Sequence, residues 1–482
     1  RSLGMKKAQL IIEKSTSGHV ATSIPALDIP ERDLSELIPR KFLRTESPRL
    51  PEISEPELVR HYIGISTKNH HVDKDLYPLG SCTMKYNPKI NDWTASALAE
   101  VHPYQPEELS QGLLGVYHEL EQQLCAITGM TAFTLQPAAG SQGELVGVLL
   151  MRKYHELRGN DKDVILIPDA AHGTNPASVA MAGYKVVEVK SNSKGLVDLE
   201  DFESKINDRV AGFMLTNPNT LGLFEENISK ISELIHGVDG IMYMDGANMN
   251  ALLGIARPAD LGFDITHLNL HKTFSTPHGG GGPGAGPIGV TNKLAAHLPR
   301  PRVELKNHKY RLEYGYEHSI GRVHGFYGNF GILLRAWTYI RMLGPDGLRN
   351  ISEIAISNAN YMMHKLKDVF ELAYDRTCMH EFVLSAQTQK EKGTNALHIA
   401  KRLLDFGFHS PTMYFPLIVK EALMIEPTES ENKETMDRFI SVMKQIAEEV
   451  ETNPELVHSA PHSTPVGKVD ETYANRNLNV HW

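Results

Sequence analysis

Between residues 164 and 245 the period of the apolar positions keeps changing. VILIP (164–168), YKVVEVK (184–190), VAGFMLTNP (210–218) and GIMYMD (240–245) are short runs of consecutive apolar or β-branched residues. Between them, PASVAMAG (176–183) is a short run of small helix-forming residues, and DLEDFESKI (198–206) and NISKISELIHGV (227–238) repeat their apolar residues every three or four positions. The first kind fits strands buried on both faces, and the second fits amphipathic helices. Their alternation predicts an α/β fold, a mostly parallel sheet flanked by helices. Asp198 and Gly183 stand where a helix start and a helix stop belong. Upstream, LLGVYHELEQQLCAITG (113–129) reads as a helix stopped by Gly129, followed by a strand ending near Gln136 and a helix starting near Glu144.

Downstream, GPIGV (286–290) reads as a returning strand, and the segment from Ser319 to Gly344 leads into a long helix that resumes over 352–374. EFVLSA and LIVKEALMIEP read as strands, and TNALHIAKRLLDFG and ENKETMDRFISVMKQIAEEVETN as helices. A smaller α+β unit is therefore expected at the C-terminal side. Residues before about 95 are rich in proline and charge, and over SIPALDIPERDLSELIPRKFLRTESPRLPEISEP (23–56) the proline spacing predicts an arm without long helices. Ile24, Leu27, Ile29, Leu34, Leu37 and Ile38 on that arm need a surface to cover them, and a second subunit is the expected one. The patterns divide the chain into an N-terminal arm (1–95), a large domain (96–345), a small α+β domain (346–454) and a polar tail (455–482) ending in Trp482.

Composition narrows the field. At 482 residues the chain exceeds one ordinary core. A net charge of −9 argues against nucleic-acid binding, which needs a basic face. No apolar run approaches the roughly 20 residues of a membrane span, and the first residues lack the apolar stretch of a secretory leader. Cys82, Cys125 and Cys378 are too scattered for a disulfide framework, so a reducing, cytoplasmic setting is expected. Among 23 histidines the pairs His70/His71, His267/His271 and His458/His462 are close enough to consider for a metal, yet none forms HExxH and no CxxC occurs. No metal is expected.

Chemistry gathers at the ends of the expected strands, where ligands of parallel sheets bind. His172 follows the first run, Thr216 and Asn217 to Thr220 the third, and Asp245 the fourth. Lys272 lies just beyond, in HLNLHKTFSTPHGGGGPGAGPIGV (267–290), ahead of a stretch in which six of the eight residues from Gly279 to Gly286 are glycine. A lysine after a buried strand, with a carboxylate on an earlier strand, suits pyridoxal 5'-phosphate (PLP). The amine forms a Schiff base, and the carboxylate keeps the pyridine nitrogen protonated. Gly140, Ser141 and Gln142 open a helix, where free amides and the helix dipole attract phosphate. His172 can stack on the ring and the small Ala247 can pack on the other side, while Asn248 and Asn269 can donate to the cofactor, hold neighbouring groups or cap backbone. The glycine run is no nucleotide loop: no GK[ST] follows it, and a strand comes after it where a dinucleotide motif needs a helix. Close backbone approach to a cofactor or to a neighbouring subunit is the expected reason for it.

Longer motifs carry a resemblance. YPLGSCTMKYNP, AHGTNPASVAMAG, MDGANMNAL, the lysine segment, SIGRVHGFYGNF, PTMYFP, IEPTESENKETMDRF and SAPHSTPV together resemble the glycine-cleavage P-protein family, in particular the PLP-bearing β chain (subunit 2) of two-subunit forms. The resemblance implies the fold type I PLP-dependent transferase fold, like aspartate aminotransferase. It also implies Lys272 as the PLP lysine, Asp245 at the pyridine nitrogen, His172 on the ring, and Ser141 and Gln142 near the phosphate. The activity implied is glycine decarboxylation with transfer of the aminomethyl group to the lipoyl-lysine arm of H-protein, in an α2β2 assembly with an α subunit (subunit 1). Segments Tyr77–Tyr86 and Pro411–Pro416 are candidates for the walls of that arm's path or for carboxylate binding. Ser275 stands where many relatives carry cysteine, and His324 where smaller residues are common. Three other readings remain open at this point: another fold type I enzyme, such as an amino-acid decarboxylase or desulfurase; a non-catalytic subunit; and a metal-dependent hydrolase.

Overall fold

The computed structural model describes residues 8–46, 48–102 and 104–479, so Trp482 lies outside the described residues. The chain forms two compact units, Val72–His462 and a smaller one made of the residues on either side of it.

Seven strands form the main sheet of the larger unit: β1 (Ala132–Thr134), β2 (Val164–Pro168), β3 (Lys185–Val189), β4 (Val210–Thr216), β5 (Ile241–Gly246), β6 (Ile265–Leu268) and β7 (Ile288–Val290), in the order β1-β7-β6-β5-β4-β2-β3. β3, β2, β4, β5 and β6 run parallel, while β7 lies antiparallel between β6 and β1. The expected parallel α/β sheet is present, with GPIGV as its returning strand.

Strand period decides what faces each side. Met242 and Met244 join one core with Phe213, Leu215 and Leu166, whereas Ile241 and Tyr243 join the other with Met214, Ala211 and Ile165. By the same alternation Asp245 lies on the Tyr243 side, the side covered by helix Gly140–Arg158. That helix comes close because Gly147 has no side chain: a Cβ there would lie 2.2 Å from the Tyr243 ring.

The expected long helix is interrupted. Helical residues run from Phe330 to Leu366, but Gly344 takes φ 64° and ψ −177° immediately before Pro345, so two helices meet at a break. Glycine alone adopts that backbone cheaply, and proline cannot continue an i→i−4 ladder. The hairpin β8 (Arg302–Lys306) and β9 (Lys309–Glu313) precedes it. Beyond it, β10 (Glu371–Leu372), β11 (Phe382–Ser385), β12 (Thr412–Met413) and β13 (Ala422–Ile425) make an antiparallel sheet in the order β10-β11-β13-β12. Helices Ala396–Asp405 and Lys433–Thr452 pack on it around Phe382, Leu384, Phe408 and Phe439. Of LIVKEALMIEP only β13 is a strand, because Glu421 (φ 48°) turns the chain just before it.

Helix Glu55–Ser66 begins where the proline-spaced stretch ends. Its proline falls in the first turn, where the missing N–H costs nothing, and Ser54 and Glu57 cap that turn reciprocally. A second helix, Lys89–Ala97, starts directly after Pro88. The tail holds a short helix, Glu471–Arg476, capped by Asp470. Ile24 (92 % exposed), Leu27 and Ile29 on the arm stay open to solvent. No helix among the described residues is long and apolar enough to cross a membrane.

Candidate active site

A cavity of about 420 Å³ opens at the carboxyl ends of β4, β5 and β6. Gly140, Ser141, His172, Thr220, Asp245, Ala247, Asn269 and Lys272, all singled out in the sequence, line it.

Asp245 is the penultimate residue of β5, a strand buried along its whole length, and is 3 % exposed. Its Oδ1 accepts the Ala247 amide at 2.9 Å and lies 3.2 Å from His267 Nε2, and its Oδ2 accepts Asn175 Nδ2 at 3.1 Å. Burial pushes this carboxyl up. His267, the Ala247 amide, Asn175 and Lys272 together outweigh burial and hold it below the usual carboxylate range. His267 sits opposite Asp245 in the parallel register, and Tyr243 Oη fixes its Nδ1 at 2.8 Å.

Lys272 lies on a single helical turn, Leu270–Thr273, directly after β6. Its Nζ donates to the Ser81 carbonyl at 2.8 Å. His271 and His278 flank it. Burial, and then the Lys272 charge, push both imidazoles down, His271 to about 3, so neither competes for positive charge. Cys82 Sγ lies 3.1 Å from His278 Nε2, and burial pushes its thiol up.

His172 is aimed by a chain of hydrogen bonds. Its Nδ1 meets Thr174 Oγ1 at 2.8 Å, and Thr174 Oγ1 donates to Glu144 Oε1 at 2.9 Å. Phe415 meets the His172 ring edge-on at 5.6 Å between centroids. Glu144 is raised by burial and by the nearby Asp245 charge.

The turn before helix Gly140–Arg158 fits an anion. Ala139 is extended and its side chain caps nothing, and the first intrahelical bond runs from Gly143 N to Ala139 O. By position the amides of Gly140, Ser141 and Gln142 therefore have no intrahelical acceptor. Gly140 cannot carry a side chain, since a Cβ would lie 2.4 Å from Asn269 Nδ2. Buried polar atoms at or beside the cavity also await a partner: Asn269 Oδ1, Thr216 Oγ1, Asn175 Oδ1 and His271 Nδ1 make no hydrogen bond. Free amides at the helix start and a mix of unpaired hydroxyl, imidazole and amide-oxygen atoms fit a polar, phosphate-bearing ring.

Two of the named side chains make their hydrogen bonds away from the cavity. The Gln142 side chain receives the Ala138 amide at 2.7 Å and donates to the Val323 carbonyl at 2.8 Å, leaving only its backbone amide at the turn. Asn248 donates to the Pro218 carbonyl at 2.9 Å and to Glu381 at 3.2 Å, so it braces the walls from behind. Thr220 lines the cavity, but its hydroxyl proton is committed to the Ala170 carbonyl. The sequence did not single out Glu144, Thr174 or Ser81 for this site, and it raised His267 only as a metal candidate. His267 was within reach of sequence reasoning: it stands five residues before Lys272 on the strand beside Asp245. Leu79 to Cys82, Thr412 and Phe415, from the two segments considered as walls, do line the cavity.

The glycines serve two purposes. Gly279 to Gly282 take φ from 62° to 121°, and an added Cβ at Gly280, Gly281 or Gly282 would meet nothing, so backbone conformation selects them. Close approach selects Gly286 instead, where a Cβ would lie 2.1 Å from the Ala139 carbonyl oxygen.

Comparison with known proteins identifies the family. Residues 27–307 match the family model described as glycine cleavage system P-protein, and residues 351–462 match one described as glycine dehydrogenase, C-terminal domain. The chain is 57% identical over 479 residues to a probable glycine dehydrogenase (decarboxylating) subunit 2 of Chloroherpeton thalassium, covering 98% of this chain and 97% of that protein. It is 56% identical over 474 residues to the protein of the same name from Halalkalibacterium halodurans, with 98% and 97% covered. Among solved structures, the fold is like that of glycine decarboxylase (P-protein) of the glycine cleavage system in inhibitor-bound form. There the TM-score is 0.72 at 20% identity, covering 86% of this chain and 94% of that one. It is also like glutamate decarboxylase of Lactobacillus brevis, with TM-score 0.65 at 14% identity and 88% and 96% covered.

Proposed function

The chain belongs to the glycine cleavage system P-protein family, and from that premise we propose that it is the PLP-bearing subunit that decarboxylates glycine and passes the aminomethyl group to a lipoyl arm. The observation that carries the reading is the convergence of Lys272, the anionic Asp245 and the open first turn at Gly140 and Ser141 on one cavity.

PLP is the cofactor of this fold and family, and when bound it supplies an electron sink for the bond that loses CO2. Lys272 is the residue to hold it covalently. Asp245, kept ionised by His267, holds a proton at the ring nitrogen. The amides of Gly140 and Ser141 take the phosphate, with Gln142 contributing its backbone alone. His172, aimed through Thr174 by Glu144, and the small Ala247 both line the cavity and would pack against the ring. Asn269, its Oδ1 still free, is a polar partner within the cavity. Leu79 and Phe415 line the cavity with apolar side chains and would help keep water away from the reacting carbon.

Relatives named subunit 2 imply a subunit 1 partner, and the exposed Ile24, Leu27 and Ile29 support an arm that wraps another chain, as in an α2β2 assembly. Lipoylated H-protein is the expected acceptor, and the cytoplasm the expected compartment. The test is release of labelled CO2 from carboxyl-labelled glycine by the chain with subunit 1 and lipoylated H-protein. The reading requires that release to vanish when either partner is omitted and in Lys272→Ala, which must also lose the visible absorbance that borohydride bleaches. Release that needs neither partner would favour an ordinary decarboxylase of the same fold.

A further inference from the structure

Behind the cavity lie three ionisable groups that the reading above leaves without a role. His380, Glu381 and Glu426 are wholly buried. His380 Nε2 stands 4.0 Å from Glu381 Oε1 and 3.9 Å from Glu426 Oε1, too far for hydrogen bonds. Both ring nitrogens of His380 and Glu426 Oε2 have no hydrogen-bond partner among the described residues. Two carboxyl groups and an imidazole are rarely taken out of water together without a purpose.

Glu381 reaches the reactive amine through one residue. Its Oε2 accepts the Ser81 amide at 2.6 Å, and the Ser81 carbonyl accepts Lys272 Nζ at 2.8 Å. Ser81 is held in the left-handed region, φ 62°, which a serine adopts only when its surroundings fix it. Those surroundings are present on both sides. Gly80 N donates to the Met424 carbonyl at 3.3 Å, the Gly80 carbonyl accepts Thr412 Oγ1 at 2.7 Å, and Thr83 Oγ1 donates to Glu426 Oε1 at 2.5 Å. Residues 80–83 thus form a strap between the buried acids and Lys272.

We propose that Glu381 is a positioning residue for Lys272: by holding the Ser81 amide it fixes the carbonyl on which the Lys272 amine rests whenever that amine is not bound to cofactor. The proposal rests on Lys272 being the cofactor lysine. A lysine displaced by substrate must wait within reach and return at the end of each turnover, and the Ser81 carbonyl provides that place.

The strap is also sensitive to pH. A carboxylate accepts an N–H bond more strongly than a carboxylic acid does. Burial pushes Glu381 up to about 7, against the pull of the Ser81 amide, Lys272 and Asn248. Of the other groups facing it, Glu426 is driven well above the ordinary range by burial and by Glu381, with Glu429 behind it, and His380 is pushed down to about 3 by burial and Lys272. The Cys82 thiol is raised, so it adds no charge near neutrality. Glu381 is therefore the group that changes charge near pH 7, and its anchor weakens as pH falls through that value.

The test uses the cofactor-free protein and trinitrobenzenesulfonate, with modification of Lys272 read by peptide mass spectrometry relative to the exposed Lys230. In the wild type the Lys272-to-Lys230 ratio should fall about fivefold as pH rises from 6 to 8, the effect of strengthening one charge-assisted hydrogen bond. Glu381→Gln should give a flat, higher ratio. Ser81→Gly, which keeps both backbone groups but frees φ, should raise the ratio while keeping the inflection. A wild-type ratio that is flat between pH 6 and 8, or an inflection surviving in Glu381→Gln, overturns the proposal, and the first of these needs no variant to fold. Borohydride trapping of cofactor on the wild-type protein separates this from the reading beneath it: absence of cofactor on Lys272 would defeat that reading instead.

Discussion

His267 Nε2 lies 3.2 Å from Asp245 Oδ1, across neighbouring parallel strands and with both side chains almost wholly buried. The pairing needs three residues in register. Tyr243 and Asp245 share one face of β5, His267 stands opposite on β6, and Tyr243 Oη grips the far nitrogen of the same ring. What the cavity receives is a carboxylate kept ionised in a place where burial alone would neutralise it.

Replacing His267 by Phe should therefore cost more than its volume suggests. Asp245 would lose its main neighbour, and burial would then raise its carboxyl. Removing one partner of a buried pair costs about 3 kcal/mol. The sign follows from linkage: the wild-type carboxyl is lowered, so its stabilisation is present above the unfolded value of about 3.9 and is lost as pH falls through the folded one. The gap in melting temperature between wild type and variant should be widest at neutral pH and narrow below about pH 4. Thermal unfolding of the cofactor-free proteins at several pH values measures it.

Gly147→Ala tests the same chain of contacts from the helix side. The new Cβ would lie 2.2 Å from Tyr243 Cε2, so the ring must shift and carry its bond to His267 with it. Overpacking of this kind costs about 2 kcal/mol. Cofactor affinity should fall together with stability, which an exposed helical Gly→Ala change would not produce. Titration with PLP followed by absorbance reads the first effect, and denaturant melts read the second.

Strand ends were legible in the sequence because β runs and polar residues punctuate each other, and this brought Asp245, His172 and Lys272 together on one cavity. Direction was not legible. Asn248 follows Asp245 by three residues, yet the turn after β5 points it at Pro218 and Glu381, while Gln142, on the phosphate turn, folds its side chain back to Ala138 and Val323. Non-local partners stayed hidden for a different reason. Ser81 and Glu381 meet through a hydrogen bond between segments 300 residues apart, which no local period records. Helix Glu55–Ser66 carries a proline in its first turn, because there the missing N–H has no partner to lose.

Glu144→Gln should behave in the opposite sense to the His267 change. Glu144 is raised by burial and by Asp245, so its ionisation opposes folding at neutral pH. Wild-type stability from this group is full below the unfolded value of about 4.3 and is lost as pH rises through the folded one. The amide still accepts from Thr174 but cannot ionise. Its melting temperature should match the wild type near pH 4 and exceed it at pH 8. A variant less stable at pH 8 than at pH 4, relative to wild type, would show that Glu144 is held charged.

The two kinds of glycine beside Lys272 predict two kinds of failure. At Gly281 and Gly282, with φ 102° and 121° and open space around an added Cβ, alanine meets no neighbour and pays only for its backbone conformation, about 1–2 kcal/mol. Cofactor affinity should then change little, because the loop can relax outward into solvent. Gly286→Ala has no such freedom. Its Cβ would lie 2.1 Å from the Ala139 carbonyl oxygen, and Ala139 is the residue on which helix Gly140–Arg158 begins. Backbone must move there, and the amides of Gly140 and Ser141 move with it. Gly286→Ala should weaken PLP binding by about tenfold or more, since 1.4 kcal/mol of lost phosphate contact is already a factor of ten. Equilibrium titration of the three variants with PLP decides it: equal losses at Gly281 and Gly286 would mean that loop conformation, and not the approach of Gly286 to Ala139, sets the phosphate turn.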